Sequence, residues 1–254
     1  MLRTAKVLAA MLLMLQALTP PSALAEESSP QGRYFGMRHG ESMPSFEQRI
    51  CSSMAAGIDP RNGLTARGRE ESLAASRAWI AEHGAAIQAA WQRGDLVILS
   101  SPFSRSRETA EILVASLQSW LASAPIATSP TPALAIRIEA DLRERDFGQF
   151  EGLSPSGPIY RKIWDQDARN PSSSSEGVES AEAVQRRVAA LIARLERQAA
   201  ANPGRISVLV SHGDTLKILQ TSAQGQSAAA HQDPSQVTPF ETGEIRALLW
   251  QGRP

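Results

Sequence analysis

The chain has 254 residues, 42% hydrophobic and 20% charged, enough for one sizeable buried core. Lys and Arg number 26, and so do Asp and Glu. This balance excludes a nucleic-acid binder that works through bulk positive charge, which needs a strong basic excess.

Residues 1–25 stand apart from the rest. Arg3 and Lys6 form a short basic start, Val7 to Leu18 is apolar except for Gln16, and Pro20 and Pro21 precede Ala23-Leu24-Ala25. That layout predicts a signal peptide cleaved after Ala25, and hence an exported protein, periplasmic or secreted. The run is too short for a permanent membrane helix, which needs about 20 residues. An organelle transit peptide is the rival reading, but such peptides are rich in Arg and Ser, and this segment has one of each. Losing Arg3 and Lys6 leaves residues 26–254, the expected mature domain, with a formal charge of −2. The one cysteine, Cys51, excludes an internal disulfide. It has no histidine near it in sequence and reads as a structural residue.

Arg33 to Met37, Asp95 to Leu99 and Ile206 to Val210 are short apolar runs that predict strands covered on both faces, as in a parallel sheet. Leu134 to Ile138 is a candidate fourth strand. Thr242 to Trp250 is a candidate fifth, antiparallel or at an edge. Between them, Thr65 is placed to cap a helix that begins at Ala66, with Gly84 as its stop and His83 as a cation favoured by the helix end. Phe103 to Leu121 and Val178 to Ala200 carry apolar residues at spacings of three and four, the mark of an amphipathic helix. Thr215 to Ser222 predicts a shorter helix. Pro171 to Glu176 and Thr221 to Pro239 read as loops inside one domain, and His231, in the second, receives no role. Strands alternating with helices predict an α/β sandwich.

The residues after the three strong strands carry the chemistry. Arg38-His39-Gly40-Glu41 follows the first, Ser100-Ser101-Pro102 with Arg105 beyond follows the second, and Ser211-His212-Gly213-Asp214 follows the third. Open α/β sheets bind ligands beyond the carboxyl ends of their strands, so two histidines and two arginines are expected to meet there. Two guanidiniums and two imidazoles suit a phosphate, and the glycines let backbone N–H groups approach it. A neutral imidazole can attack phosphorus, with Arg38, Arg105 and a protonated His212 offsetting the charge that builds on the oxygens. The leaving oxygen needs a proton, and "DLRERDFGQFEG" offers Asp141, Glu144, Asp146 and Glu151, among which the residues alone do not choose. Glu41 is placed to orient the first loop. The four histidines, His39, His83, His212 and His231, show no metal-binding spacing, so neither a metal nor a cofactor is expected.

Four segments in this order resemble the histidine phosphatase superfamily, in its phosphoglycerate mutase-like branch. "MRHGES" is similar to the nucleophile motif, "SSPFSRSRETAEIL" to the second arginine segment, "LRERDFGQFEG" to the proton-donor stretch and "VLVSHGD" to the second histidine motif. The resemblance runs from about residue 33 to 219, and more loosely to 250. It implies a three-layer α/β/α sandwich with a mostly parallel central sheet, phosphoglycerate mutase-like. It also implies a phosphohistidine at His39, Glu144 as proton donor, and Arg38, Arg105 and His212 in the phosphate pocket. Ser45 stands where the family often has a phosphate-binding Asn, and Ser106 where it usually has Ala.

The expected activity is therefore a metal-independent phosphomonoesterase acting on a small molecule, with no nucleic-acid partner and no membrane contact after signal removal. A neutral His39 and a charged His212 would give a mildly acidic optimum. The alternatives are a catalytically idle phospho-ligand or partner-binding module on the same fold, and a phosphoglycerate mutase. Loops Phe46 to Gly63, with Arg49 and Arg61, and Thr221 to Pro239 are expected to shape the pocket. The alcohol of the substrate and the oligomeric state stay open.

Overall fold

A computed structural model describes residues 30–123, 133–155 and 157–250. The expected signal peptide, residues 1–25, lies outside them. A five-stranded sheet has the order β3-β2-β4-β1-β5, with β1 at Arg33–Arg38, β2 at Leu96–Ser100, β3 at Ile136–Ile138, β4 at Ile206–Ser211 and β5 at Ile245–Ala247. The first four are parallel. The last runs antiparallel to β1 at the sheet edge, where Thr242 to Trp250 was expected to lie.

Side chains alternate across the strands and divide the core in two. Phe35, Met37, Ile98, Val208 and Val210 face one side, with Trp79, Ile87, Leu113 and Leu117 from helices α3 (Ala66–Gln92) and α4 (Ser104–Ser123). Tyr34, Val97, Leu99 and Leu209 face the other, with Leu191, Ile192, Leu195, Leu216 and Leu219 from α6 (Ala181–Ala199) and α7 (Gly213–Ala223). Strands buried on both faces with helices over each give the three-layer α/β/α sandwich. Each fully buried Leu of these helices contributes roughly 1.5–3 kcal/mol.

Three smaller helices lie near the carboxyl ends of the strands. They are α1 (Met43–Phe46), α2 (Met54–Gly57) and α5 (Gly157–Arg169). The sequence reading missed α5. Its Ile163 packs with Ile50, Phe147, Phe150 and Val178 in a satellite core, and Ile159, Tyr160 and Trp164 lean on it.

Gly84 does not stop α3. The helix continues to Gln92 because Ile87, Ala90 and Trp91 extend its buried face. A Cβ on Gly84 would come within 3.0 Å of the Trp120 ring, so this glycine serves a close helix crossing. His83 is thus inside the helix, its ring 5.0 Å from that of Phe35. The stretch from Thr221 to Pro239 is more ordered than expected: α7 runs to Ala223 and a 3-10 turn spans Ala228–Gln232. That turn buries His231, whose Nε2 lies 3.0 Å from Asp167 Oδ2. Among the described residues, no helix is long and apolar enough to cross a membrane.

Candidate active site

The central strands β2, β4 and β1 are neighbours, so the segments after them converge as the topology rule requires. Arg38 closes β1, and its Nη1 donates to Phe240 O at 2.7 Å. His39 is buried and its Nδ1 lies 2.8 Å from Gly40 O. A carbonyl only accepts, so Nδ1 carries the proton and Nε2 the lone pair. Arg105, in the first turn of α4, donates from Nε to that lone pair at 3.1 Å and from Nη2 to Cys51 O at 2.9 Å. Its Nη1 lies 3.6 Å from Cys51 Sγ, so Cys51 supports this arginine. Burial pushes the Cys51 thiol up, in keeping with a structural residue.

His212 precedes α7, and its ring centroid is 5.0 Å from that of His39. Ser101 Oγ at 2.8 Å and Ser106 Oγ at 3.3 Å hold its Nε2. Ser106, the departure from the usual Ala, thus touches the second histidine. Two buried nitrogens, His212 Nδ1 and Arg38 Nε, have no hydrogen-bond partner among the described residues. Unpaired buried donors are costly, and an anion with several oxygens would satisfy both.

Burial, reinforced by Arg105 and Arg38, pushes the His39 imidazole well below its ordinary value. Burial, then Arg105 and His39, does the same to His212. Both rings are therefore neutral near pH 7. That fits the expected state of His39, while at His212 burial first, and then Arg105 and His39, disfavour the expected positive charge.

The structure separates the four candidate carboxylates. Glu151 accepts from Ser52 N at 2.8 Å and Ser53 N at 3.0 Å and braces that loop. Asp141 pairs with Arg194, and Asp146 accepts from Gly148 N at 2.8 Å. Glu144 alone of the four lines the cavity that holds His39, Arg38 and Arg105. Its Oε1 accepts from Arg145 N, Thr215 N and Thr215 Oγ1 at 3.0, 3.2 and 3.1 Å, which fixes the carboxyl while Oε2 keeps no protein partner among the described residues. Burial and the Asp214 carboxylate push Glu144 up, against the pull of Arg105.

The cavity has a volume of about 260 Å³, and Ser45 and Arg49 line it as expected. Arg61 does not: it is 89% exposed and pairs with Asp59. Glu41 orients the first loop by accepting from Thr65 Oγ1 at 2.8 Å. Sequence reasoning missed Phe147, Tyr160, Trp164, Asp214 and Lys217, which also line the cavity. The pair Ile159-Tyr160 recurring four residues later as Ile163-Trp164 was the signal that could have found α5. Among the described residues, no three His, Cys, Asp or Glu side chains cluster as metal ligands would.

Residues 35–251 match the family described as the histidine phosphatase superfamily (branch 1). A comparison with curated proteins finds no significant match. Among solved structures, a mycobacterial glucosyl-3-phosphoglycerate phosphatase in complex with VO3 is similar at 22% identity and a TM-score of 0.60, covering 87% of this chain and 99% of that one. A structure titled "Mycobacterial hydrolase 1" has 20% identity and a TM-score of 0.60, over 86% of this chain and 97% of that one. A phosphoserine phosphatase from Entamoeba histolytica, in complex with 3-phosphoglyceric acid, has 17% identity and a TM-score of 0.57, over 84% and 88%. At these identities the shared property is the phosphoglycerate mutase-like fold.

Proposed function

The chain belongs to the histidine phosphatase superfamily (branch 1), and on that premise we propose that it is a metal-independent phosphomonoesterase working through a phosphohistidine at His39. The observation that carries this reading is the unprotonated Nε2 of His39 beside Arg105 and Arg38, in one cavity with a carboxyl held toward its acid form. In the first step, His39 Nε2 attacks phosphorus, the ester P–O bond breaks, and Glu144 gives its proton to the leaving alkoxide. In the second, Glu144 takes a proton from water, the water oxygen attacks phosphorus, and the P–N bond breaks to release phosphate and free His39. Arg38 and Arg105 offset charge on the phosphoryl oxygens in both steps. His212 acts as a neutral donor. With Ser101 giving its hydroxyl hydrogen to Nε2, the imidazole proton sits on Nδ1, the atom without a partner. Ser45, which lines the cavity, would hold a further oxygen.

Phosphate release from a panel of phosphomonoesters in the presence of a chelator tests the reading, with His39→Ala alongside. The wild type turns over, an acid-labile phosphoryl label appears on it, and His39→Ala loses at least about 10³-fold in kcat. Loss of activity on chelation overturns metal independence. Phosphoglycerate isomer interconversion in place of release points to a mutase, and binding without turnover to an idle binding module. The reading includes export. Cleavage after Ala25 in a secreting host, seen by mass of the mature chain, is the expected outcome.

A further inference from the structure

Helix α5 sets Tyr160 and Trp164 one turn apart on the cavity wall. Their rings stack at 5.0 Å and 9°, and Phe147 meets the Tyr160 ring edge-on at 5.3 Å. Lys217 Nζ lies 4.7 Å from the Trp164 ring centroid and is anchored by Asp214 Oδ1 at 3.1 Å and Gln232 Oε1 at 3.0 Å. Tyr160 is thus fixed by a run of ring contacts from Lys217 to Phe147. Its phenol oxygen has no hydrogen-bond partner among the described residues. Burial, then Asp214 and Glu144, push the phenol up against the pull of Arg105 and Arg38, so it stays protonated in the cavity it shares with Glu144 and Asp214. The side of that cavity beside Glu144 is where the leaving oxygen would be protonated.

The same side is poorly suited to a second anion. Lys217 is taken by Asp214, and Arg49 by Glu47 at 2.6 Å and by Asn62. Asp214 is matched by Lys217 and Arg145, and Glu144 is held toward its acid form, so beyond Arg38 and Arg105, which take the phosphoryl group, no unpaired cation among the described residues lines the cavity to receive one. An uncharged hydroxylated group needs none and finds the phenol free.

Building on the phosphatase reading, we propose that Tyr160 is a specificity residue that hydrogen-bonds a hydroxyl of the substrate alcohol, and that the substrate is the phosphate monoester of an uncharged polyhydroxy alcohol.

Three ligands of one carbon skeleton test this. Glycerol 2-phosphate carries hydroxyls beside the ester carbon, isopropyl phosphate lacks them, and 2-phosphoglycerate replaces one with a carboxylate. Affinities are measured by calorimetry in His39→Ala, which reads binding without turnover, and in the same variant carrying Tyr160→Phe. Glycerol 2-phosphate is expected to bind five- to tenfold more tightly than isopropyl phosphate, roughly one hydrogen bond, and more tightly than 2-phosphoglycerate. Tyr160→Phe is expected to bring the first ratio close to 1 while inorganic phosphate binds as before. A ratio near 1 with Tyr160 in place overturns the proposal, as does equal weakening of all ligands by Tyr160→Phe or tighter binding of 2-phosphoglycerate. Wild-type turnover and the acid-labile phosphoryl label, measured separately, decide the phosphohistidine reading, so the two can fail independently.

Discussion

Glu144 owes its chemistry to its neighbours. Burial and Asp214 hold it toward the protonated form, which is the form that can serve a leaving alkoxide. Glu144→Gln is expected to lower kcat on alkyl phosphates by about 10²–10⁴-fold, and by much less on p-nitrophenyl phosphate, whose leaving group needs no proton. Steady-state rates on both esters check this. The sign of the pH profile follows from the two shifts. His39 is pushed down, so the acid limb falls well below the ordinary imidazole value; Glu144 is pushed up, so the alkaline limb marks loss of its proton. Asp214→Asn removes the anion that raises Glu144 and should move the alkaline limb of kcat to lower pH. An unmoved limb would sink the assignment of Glu144 as the acid. Sequence alone left four carboxylates in contention here. All four sit on one irregular stretch, where no periodicity says which side chain turns inward, and only the partners of Asp141, Asp146 and Glu151 reveal that they are engaged elsewhere.

At the level of elements, the loop after β1 and the first turn of α3 meet with almost no space between them. A Cβ on Gly68 would sit 1.9 Å from Glu41 O, and one on Gly40 would sit 2.1 Å from Gly68 O. Both obstacles are backbone and cannot swing aside. Gly68→Ala should cost at least about 2 kcal/mol and displace His39, so the urea midpoint and kcat should fall together. A midpoint equal to that of the wild type would show that the loop relaxes freely. The three central strands were legible because Val, Ile and Leu fill most of β2 and β4, and Tyr34, Phe35 and Met37 make β1 an apolar run. Two helices were less so. Gly84 looks like a stop when only chain-local signals are counted, and its real cause, the Trp120 ring on α4, is distant in sequence. Helix α5 was overlooked because its aromatic pair follows a Pro- and Ser-rich run that reads as loop.

Across the whole molecule, one buried ionic cluster ties α5 to the loop after β3, the segment before α6 and the turn after α7. Arg145 and Asp167 are 1% and 2% exposed and meet through two hydrogen bonds of 2.6 and 2.8 Å, with His231 on the same carboxylate. Arg145 also donates to Glu179 O. Asp167→Ala leaves a buried guanidinium without its counter-charge and should cost about 3–5 kcal/mol, measurable by denaturant unfolding. Burial opposes the Asp167 charge, but hydrogen bonds from His231 and Arg145 outweigh it and hold the carboxyl below its usual value. This contribution is therefore complete above about pH 4 and fades as acid protonates Asp167, which unfolding midpoints at pH 3 and pH 6 would reveal.

The strand order also has a consequence for synthesis on the ribosome. Strand β4 lies between β1 and β2, pairing Arg33 with Ile206 on one side and Leu96 with the same Ile206 on the other. A nascent chain that has emerged only as far as α6 holds β1 and β2 with the seat between them unfilled, each a bare edge. Assembly of the sheet must wait until β4 has emerged, long after β1 and β2, and the groups around His39 then come together in a single late event.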